Sequence, residues 1–277
     1  MKYICIAPNT DSFAWQVDLS YHQHLSLGFS ASDFIVLSPG YLPSESKFPS
    51  YIKIISTKNW NEYLNKPHNL FYEPINIQTS LMQMEFLDEE IYILGEPDIF
   101  LLFKNINLDL SDCDIIHESI YEDWHLKLQS DNSHYKSLVS NDFSYSGGGP
   151  WIMKGSTMKK ILPDWTDYHF QCADNANSKH EQWWAGMYAY NLACAKNNIK
   201  VSEKRICCIP ALDSKITKDM FCLHYSVNVG SFNKKEGLSL HTIFEMNLDL
   251  STQSELFFFN VLKNWLAKST FAKNIYH

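Results

Sequence analysis

Apolar and polar positions alternate along the chain in blocks, and each block has a legible period. Lys2-Tyr3-Ile4-Cys5-Ile6-Ala7 is a short apolar run stopped by Pro8-Asn9-Thr10-Asp11, which reads as a strand and a turn. Trp15, Leu19, His22 and Leu25 then recur near helical spacing, predicting a helix from Phe13 to Leu27. Asp33 to Ser38 and Tyr51 to Ser56 read as further strands, the first ended by Pro39-Gly40. Asn59 to Leu64 and Ile75 to Leu87 read as helices, and Glu90 to Gly95 as a fourth strand running into Glu96-Pro97-Asp98.

Strands alternating with helices predict βαβ units, a mostly parallel Rossmann-like sheet flanked by helices in one α/β domain over residues 1–277. Ligands of such sheets bind beyond the carboxyl ends of the strands, where Pro8-Asn9 and Glu96-Pro97-Asp98 fall. Residues 104–140 look polar and loop-rich with one helix. After them come the glycine-rich stretch Ser144 to Met153, helices over 156–162 and 181–197, and a strand at Ile199-Lys200-Val201. An apolar strand ends on His224, and 254–269 form a closing amphipathic helix with Leu256, Phe259, Leu262 and Leu266 on one face.

Composition changes the picture in three ways. No apolar run approaches the roughly 18 residues that span a bilayer, and the first apolar stretch is short, so the expectation is a cytoplasmic protein without a membrane partner. Seven dispersed cysteines without a C-x-x-C pair agree with a reducing compartment. The net charge of −8 argues against generic nucleic-acid binding, yet it is uneven: residues 1–140 hold 8 lysines against 19 acids, and residues 141–277 hold 15 basic side chains against 12 acids. A nearly arginine-free, lysine-rich chain also suggests an AT-rich bacterial or phage genome.

The candidate chemistry sits on few residues. If the strand continues extended, Glu96 and Asp98 point to one side of it, because side chains alternate with period two, and two carboxylates can then share a hard cation such as Mn²⁺ or Mg²⁺. Acid-x-acid triplets are also common on surfaces, so the pattern alone leaves both readings open. Gly147-Gly148-Gly149-Pro150 lets backbone approach a ligand closely, or makes an ordinary turn. Trp183, Trp184, Met187, Tyr188 and Tyr190 crowd one helix and serve either as core or as stacking faces for sugar rings. His224 is a third metal ligand if the fold returns it to Glu96 and Asp98, and otherwise a structural histidine. No phosphate-binding P-loop, no G-x-G-x-x-G, no nucleophile elbow and no zinc-type Cys/His spacing is present.

Taken in order, these motifs resemble the plant hydroxyproline O-arabinosyltransferases and the related peptidyl-serine galactosyltransferases. Trp15-Gln16 follows the first strand; Tyr92-Ile93-Leu94-Gly95-Glu96-Pro97-Asp98 looks like the family's strand and metal motif. Gly149-Pro150-Trp151-Ile152-Met153, with Pro163-Asp164-Trp165 after it, is similar to the family's Gly/Pro-initiated strand and following helix. Met187-Tyr188-Ala189-Tyr190 and Cys222-Leu223-His224-Tyr225 complete the series over roughly residues 3–230.

The resemblance implies a GT-A glycosyltransferase fold and a UDP-sugar donor, with arabinose or galactose as the first sugars to consider. It also implies a divalent metal on Glu96, Asp98 and His224, and transfer with retained anomeric configuration. Residues 1–140 would be the nucleotide-binding half, with Pro8, Asn9 and Gln16 near the nucleotide. Residues 141–277 would be the sugar and acceptor half, shaped by Gly148, Gly149, Trp183, Trp184 and Tyr188. Where the family carries an acid before its M-Y-A-Y helix, this chain has Gly186. Glu181 is the nearest acid and the candidate for its catalytic role. The acceptor would be a hydroxyl of a peptide or glycan, or a hydroxymethylated base in phage DNA, for which Lys154, Lys159, Lys160, Lys200, Lys204 and Arg205 offer positive charge. A non-catalytic nucleotide-sugar-binding protein is the rival from another class.

Overall fold

The computed structural model describes residues 1–67, 74–104, 108–119, 147–174, 176, 179–210, 212–225 and 252–276, with the side chains of residues 119, 147, 179–181, 183–184 and 274–276 set aside. Its centre is a seven-stranded sheet ordered β3-β2-β1-β4-β7-β6-β8, made of β1 (Lys2–Ile6), β2 (Phe34–Pro39), β3 (Ile54–Thr57), β4 (Ile91–Gly95), β6 (Ile115–Ser119), β7 (Gly147–Lys154) and β8 (Val201–Lys204). The four strands from β3 to β4 are parallel, as expected. β7 runs antiparallel between β4 and β6, and β8 is parallel to β6.

Period two sorts the central strands. On β1, Ile4 and Ile6 enter the core beneath α4 (Gly155–Asp174) and α5 (Lys179–Lys196), with Tyr92, Leu94, Trp151, Met153, Ile161, Trp165 and Tyr190. Tyr3 and Cys5 face the other way, onto Ala14, Val17 and Tyr21 of α1 (Asp11–Ser26). Both faces are covered, so these strands carry nearly continuous apolar runs. α1 is itself covered on two sides: Trp15 and Leu19 enter a third core with Phe100, Leu223, Tyr225, Phe258 and Trp265.

That third core belongs to a small sheet ordered β5-β10-β9, formed by β5 (Ile99–Leu101), β9 (Cys207–Cys208) and β10 (Cys222–His224). β10 is antiparallel to β5 and parallel to β9. Over it lies α6 (Gln253–Lys268), started by a capping box in which Thr252 and Glu255 bond each other's backbone N–H. α2 (Trp60–Leu64), α3 (Asn76–Met82) and α7 (Thr270–Tyr276) complete the described helices.

Three expectations change. Helix α4 does not stop at residue 162 but continues through Pro163 to Asp174. Met158, Ile161, Leu162, Trp165, Tyr168 and Cys172 bury one continuous face, which offsets the roughly 3 kcal/mol that an interior proline costs. Part of the stretch read as loop-rich is strand β6, an inner strand of the sheet between β7 and β8; residues 105–107 and 120–140 of that stretch lie outside the described residues. The glycines at 147–149 are strand rather than turn, since β7 begins at Gly147.

Candidate metal and donor site

The site lies where the chain leaves the large sheet and enters the small one. β4 ends at Gly95, and Glu96, Pro97 and Asp98 turn the chain into β5, closed by Ile99 N–H donating to the Glu96 carbonyl at 3.0 Å. The two carboxylates therefore meet through a β-turn and not through the alternation of an extended strand. Pro97 stands at the second turn position, for which its fixed φ is preset.

The turn is bonded from three sides. Ser20 of α1 donates to the carbonyls of Pro97 at 3.2 Å and Ile99 at 3.1 Å. Tyr3 of β1 donates to the Ile99 carbonyl at 2.7 Å. Tyr225 N–H donates to the Asp98 carbonyl at 3.1 Å.

Tyr225 follows His224, the last residue of β10, which sits opposite Ile99 in the antiparallel register. That register returns the histidine to the turn from more than a hundred residues away. His224 Nε2 stands 3.5 Å from Asp98 Oδ2. One ligand atom from each of Glu96, Asp98 and His224 lies within 4.8 Å of the others. Two carboxylate oxygens and an imidazole nitrogen at such separations could hold a single divalent cation with coordination positions left for other oxygens. The sequence-predicted triad is thus assembled in one place.

One neighbouring residue escaped the sequence reading. Glu118, near the end of β6, is 8% exposed, and its Oε2 accepts from the N–H of Ile206 at 2.7 Å and of Cys207 at 2.6 Å. Burial pushes its carboxyl up to about 7, opposed by those two N–H groups and by the nearby charges of Arg205 and His224. The available signal was Asp114-Ile-Ile-His-Glu118, an apolar pair ending on an acid, hidden by its polar surroundings.

A family model for the N-terminal domain of the hydroxyproline O-arabinosyltransferase family matches residues 46–203, a span that includes the Glu96-Pro97-Asp98 turn. The chain belongs to the hydroxyproline O-arabinosyltransferase family. As a member it is a glycosyltransferase. Its fold is GT-A. The galactosyltransferase LgtC, solved with donor and acceptor sugar analogues, is similar at 11% identity and a TM-score of 0.52, over 95% of this chain and 96% of LgtC. An active-site mutant of LgtC is similar at 10% identity and 0.53 over the same shares. The bifunctional glycosyltransferase WbbM is similar at 8% identity and 0.55, over 99% of this chain and 51% of its own. No curated protein sequence matches.

In this family member the other predicted residues fall as follows. Pro8 is exposed beyond the carboxyl end of β1. The amide of Asn9 is engaged on both sides: Nδ2 donates to the Glu45 carbonyl at 3.0 Å, and Oδ1 accepts from Lys47 N–H at 2.8 Å. Asn9 therefore holds the 43–47 loop against the end of β1. Gln16 is buried and donates back to the Ser12 carbonyl at 2.6 Å. Gly148 is buried in β7, opposite Glu118 of β6, and Gly149 lies against the Trp151 ring. Tyr188 packs against the core beneath α4 and α5. The side chains of Glu181, Trp183 and Trp184 lie outside the described residues.

Gly186 faces inward. A Cβ placed there would stand 3.1 Å from His169 Cε1, in the interface of α4 and α5. Its carbonyl accepts from Trp165 Nε1 at 2.8 Å. A carboxylate at this position would meet a buried histidine. Of the six basic side chains named for a nucleic-acid acceptor, three are paired with acids, Lys154 with Glu89, Lys159 with Asp88 and Arg205 with Asp213, while Lys160 donates to the Asn197 carbonyl.

No helix among the described residues is long and apolar enough to cross a membrane.

Proposed function

We propose that this chain transfers a sugar from a UDP-sugar to an acceptor hydroxyl on a peptide or glycan, with retained anomeric configuration and with Mn²⁺ or Mg²⁺ held by Glu96, Asp98 and His224. The observation that supports it most is the convergence of those three side chains at the end of β4. Family membership makes arabinose the first sugar to test, with galactose second.

A divalent cation at such a site neutralises charge on the diphosphate as the bond to the sugar breaks. The residues of this chain supply the arrangement. Ser20, Tyr3 and Tyr225 N–H hold the turn carbonyls, so Glu96 and Asp98 need little reorganisation when charge develops. The leaving diphosphate takes the acceptor proton, so the reading requires no separate protein base. On the donor side Pro8 stands at the mouth of the nucleotide half, Asn9 acts through the loop it braces, and Gln16 acts from within α1, where it holds the Ser12 carbonyl. Gly148, Gly149, Trp183, Trp184, Tyr188 and Glu181 belong to the sugar and acceptor side. The pairing of Lys154, Lys159 and Arg205 with acids halves the positive charge on offer to a DNA acceptor and favours the peptide or glycan reading.

The test is calorimetric titration of UDP with and without Mn²⁺, on the wild type and on Asp98→Asn, alongside release of UDP from UDP-arabinose and UDP-galactose. The expected result is Mn²⁺-dependent UDP binding that the substitution weakens, with turnover reduced by roughly 100-fold or more. UDP binding that is indifferent to both Mn²⁺ and the substitution would overturn the metal assignment.

A further inference from the structure

Glu118 has a place in the metal site although it is not within ligand reach in the Glu96–Asp98–His224 cluster. Its carboxylate is buried near the end of β6, an inner strand between β7 and β8, and such burial is costly unless the charge is well bonded. Among the described residues, both of its bonds go to backbone at the start of β9 in the other sheet. Ile206 and Cys207 donate to one oxygen, Oε2, at 2.7 and 2.6 Å, and Cys207 is the first residue of β9.

From β9 the connection runs to the histidine in two steps. The Ile206 carbonyl accepts from Phe221 N–H at 2.9 Å and Cys222 N–H at 3.1 Å, and β9 pairs Cys207 with Cys222 and Cys208 with Leu223. β10 then ends at His224, opposite Ile99. β9 is two residues long, so it has little pairing of its own to fix its height against the large sheet. The same strand β6 shifts register against β7 between His117 and Glu118, which turns the end of β6 out of the regular ladder at the residue that makes the contact.

We propose that Glu118 is a positioning residue for the metal centre: by clamping Ile206 and Cys207 it sets the register of β9 and β10 and so the place of His224 against Glu96 and Asp98. The inference rests on the metal reading above. It assigns to Glu118 no contact with the cation or the substrate.

The test measures Mn²⁺ affinity by electron paramagnetic resonance on the intact chain, for the wild type, Glu118→Ala, Glu118→Gln, Glu118→Asp, His224→Ala and the Glu118→Ala/His224→Ala pair. Removing an outer partner of a ligand costs about 10–100-fold in metal affinity. Glu118→Ala is expected to show that loss. Glu118→Gln restores affinity to within a few-fold, because an amide oxygen still accepts both N–H groups. The double substitution binds no more weakly than His224→Ala, because the effect travels through the histidine. If Glu118→Ala does not fold, Glu118→Asp takes its place, and its shorter reach is expected to weaken binding at least several-fold. Wild-type affinity in Glu118→Ala or Glu118→Asp, or additive losses in the double substitution, overturns the positioning role while leaving the metal site intact. A wild type that binds no Mn²⁺ overturns the metal reading itself.

Discussion

His224 closes onto Asp98 across the strand pair that joins them, its Nε2 3.5 Å from the aspartate Oδ2. Asp98 is set by a local turn, but His224 is not placed by its own neighbours in sequence. Asp98 comes from the β4–β5 turn, and His224 from the end of a three-residue strand whose register is fixed by β5 and β9. His224→Ala should therefore lower Mn²⁺ affinity by at least the roughly 10–100-fold known for lost outer-shell partners. The metal-free protein should melt within a few degrees of the wild type, because the ring is at the rim of its core. Calorimetric titration and thermal melting of the same preparations check both parts.

Gly95→Ala should destabilise the fold by about 1–3 kcal/mol, as overpacking of a filled interior does. A Cβ on residue 95 would lie 2.1 Å from the Tyr3 hydroxyl, and Tyr3 cannot swing away because it bonds the Ile99 carbonyl and stacks on Phe34. Tyr3→Phe alone should cost about 1 kcal/mol for the lost hydrogen bond. In the double substitution the two losses should sum to more than is measured, since the hydroxyl is the nearest obstacle. Urea denaturation of the three variants reads the coupling.

Gly186→Glu, which introduces an acid directly before Met187-Tyr188, should lower the melting temperature and leave turnover no higher. The new side chain would start 3.1 Å from His169, whose Nδ1 lies 3.1 Å from the Gln78 amide in a buried site. With that amide turned so that its NH₂ faces the ring, its oxygen accepts from Trp165 Nε1 at 3.1 Å. A rise in sugar transfer in this variant would show that residue 186 reaches the sugar.

Stability should fall as pH drops below about 6.5. Burial pushes His169 down to about 3 and His117 down to about 4, the latter partly opposed by Glu203. Both therefore stay neutral in the folded chain where the unfolded chain takes up protons, each with a slope of about 1.4 kcal/mol per pH unit. Glu118 works the other way: its carboxyl is raised to about 7, so the folded chain holds an extra proton between about 4.5 and 7 and gains stability as pH falls through that range. Burial also lowers His24, so the net expectation is a loss equivalent to at least about one histidine between pH 6.5 and 4.5. Glu118→Gln removes the compensating group and should steepen the fall. Denaturation midpoints at pH 7, 6 and 5 would reveal a flat or inverted dependence if this accounting were wrong.

The parallel half of the sheet was legible because β1, β2 and β4 are buried on both faces and so read as apolar runs cut by Pro and Gly. The triad was legible in part: Glu96 and Asp98 are two residues apart in sequence, while His224 needed a resemblance to bring it near them. Its placement depends on strand pairing, which leaves no local mark. Glu118 was missed because β6 is short and followed by polar sequence, and the meaning of its charge lies in two backbone N–H groups nearly ninety residues away. The Asn9 amide shows the reverse case. Its position beyond β1 was readable, but its engagement with the 43–47 loop depends on where a 3₁₀ turn over Pro43–Glu45 comes to rest.

Asp18 gives the molecule a timetable. Its buried carboxylate accepts from Tyr51 at 2.6 Å, from Trp265 Nε1 at 2.7 Å and from Ser269 at 2.6 Å, and it lies beside the His22 ring. Uncompensated, such a charge costs several kcal/mol to bury. Two of its three donors are made by the ribosome about 250 residues after it. Helix α1 can therefore dock early against β1 but cannot seal until α6 and its following residues have emerged. A nascent chain arrested before Trp265 should hold its donor-side half in an open, protease-sensitive form, and the arrival of Trp265 and Ser269 should close α1, through Ser20, over the turn carrying Glu96 and Asp98.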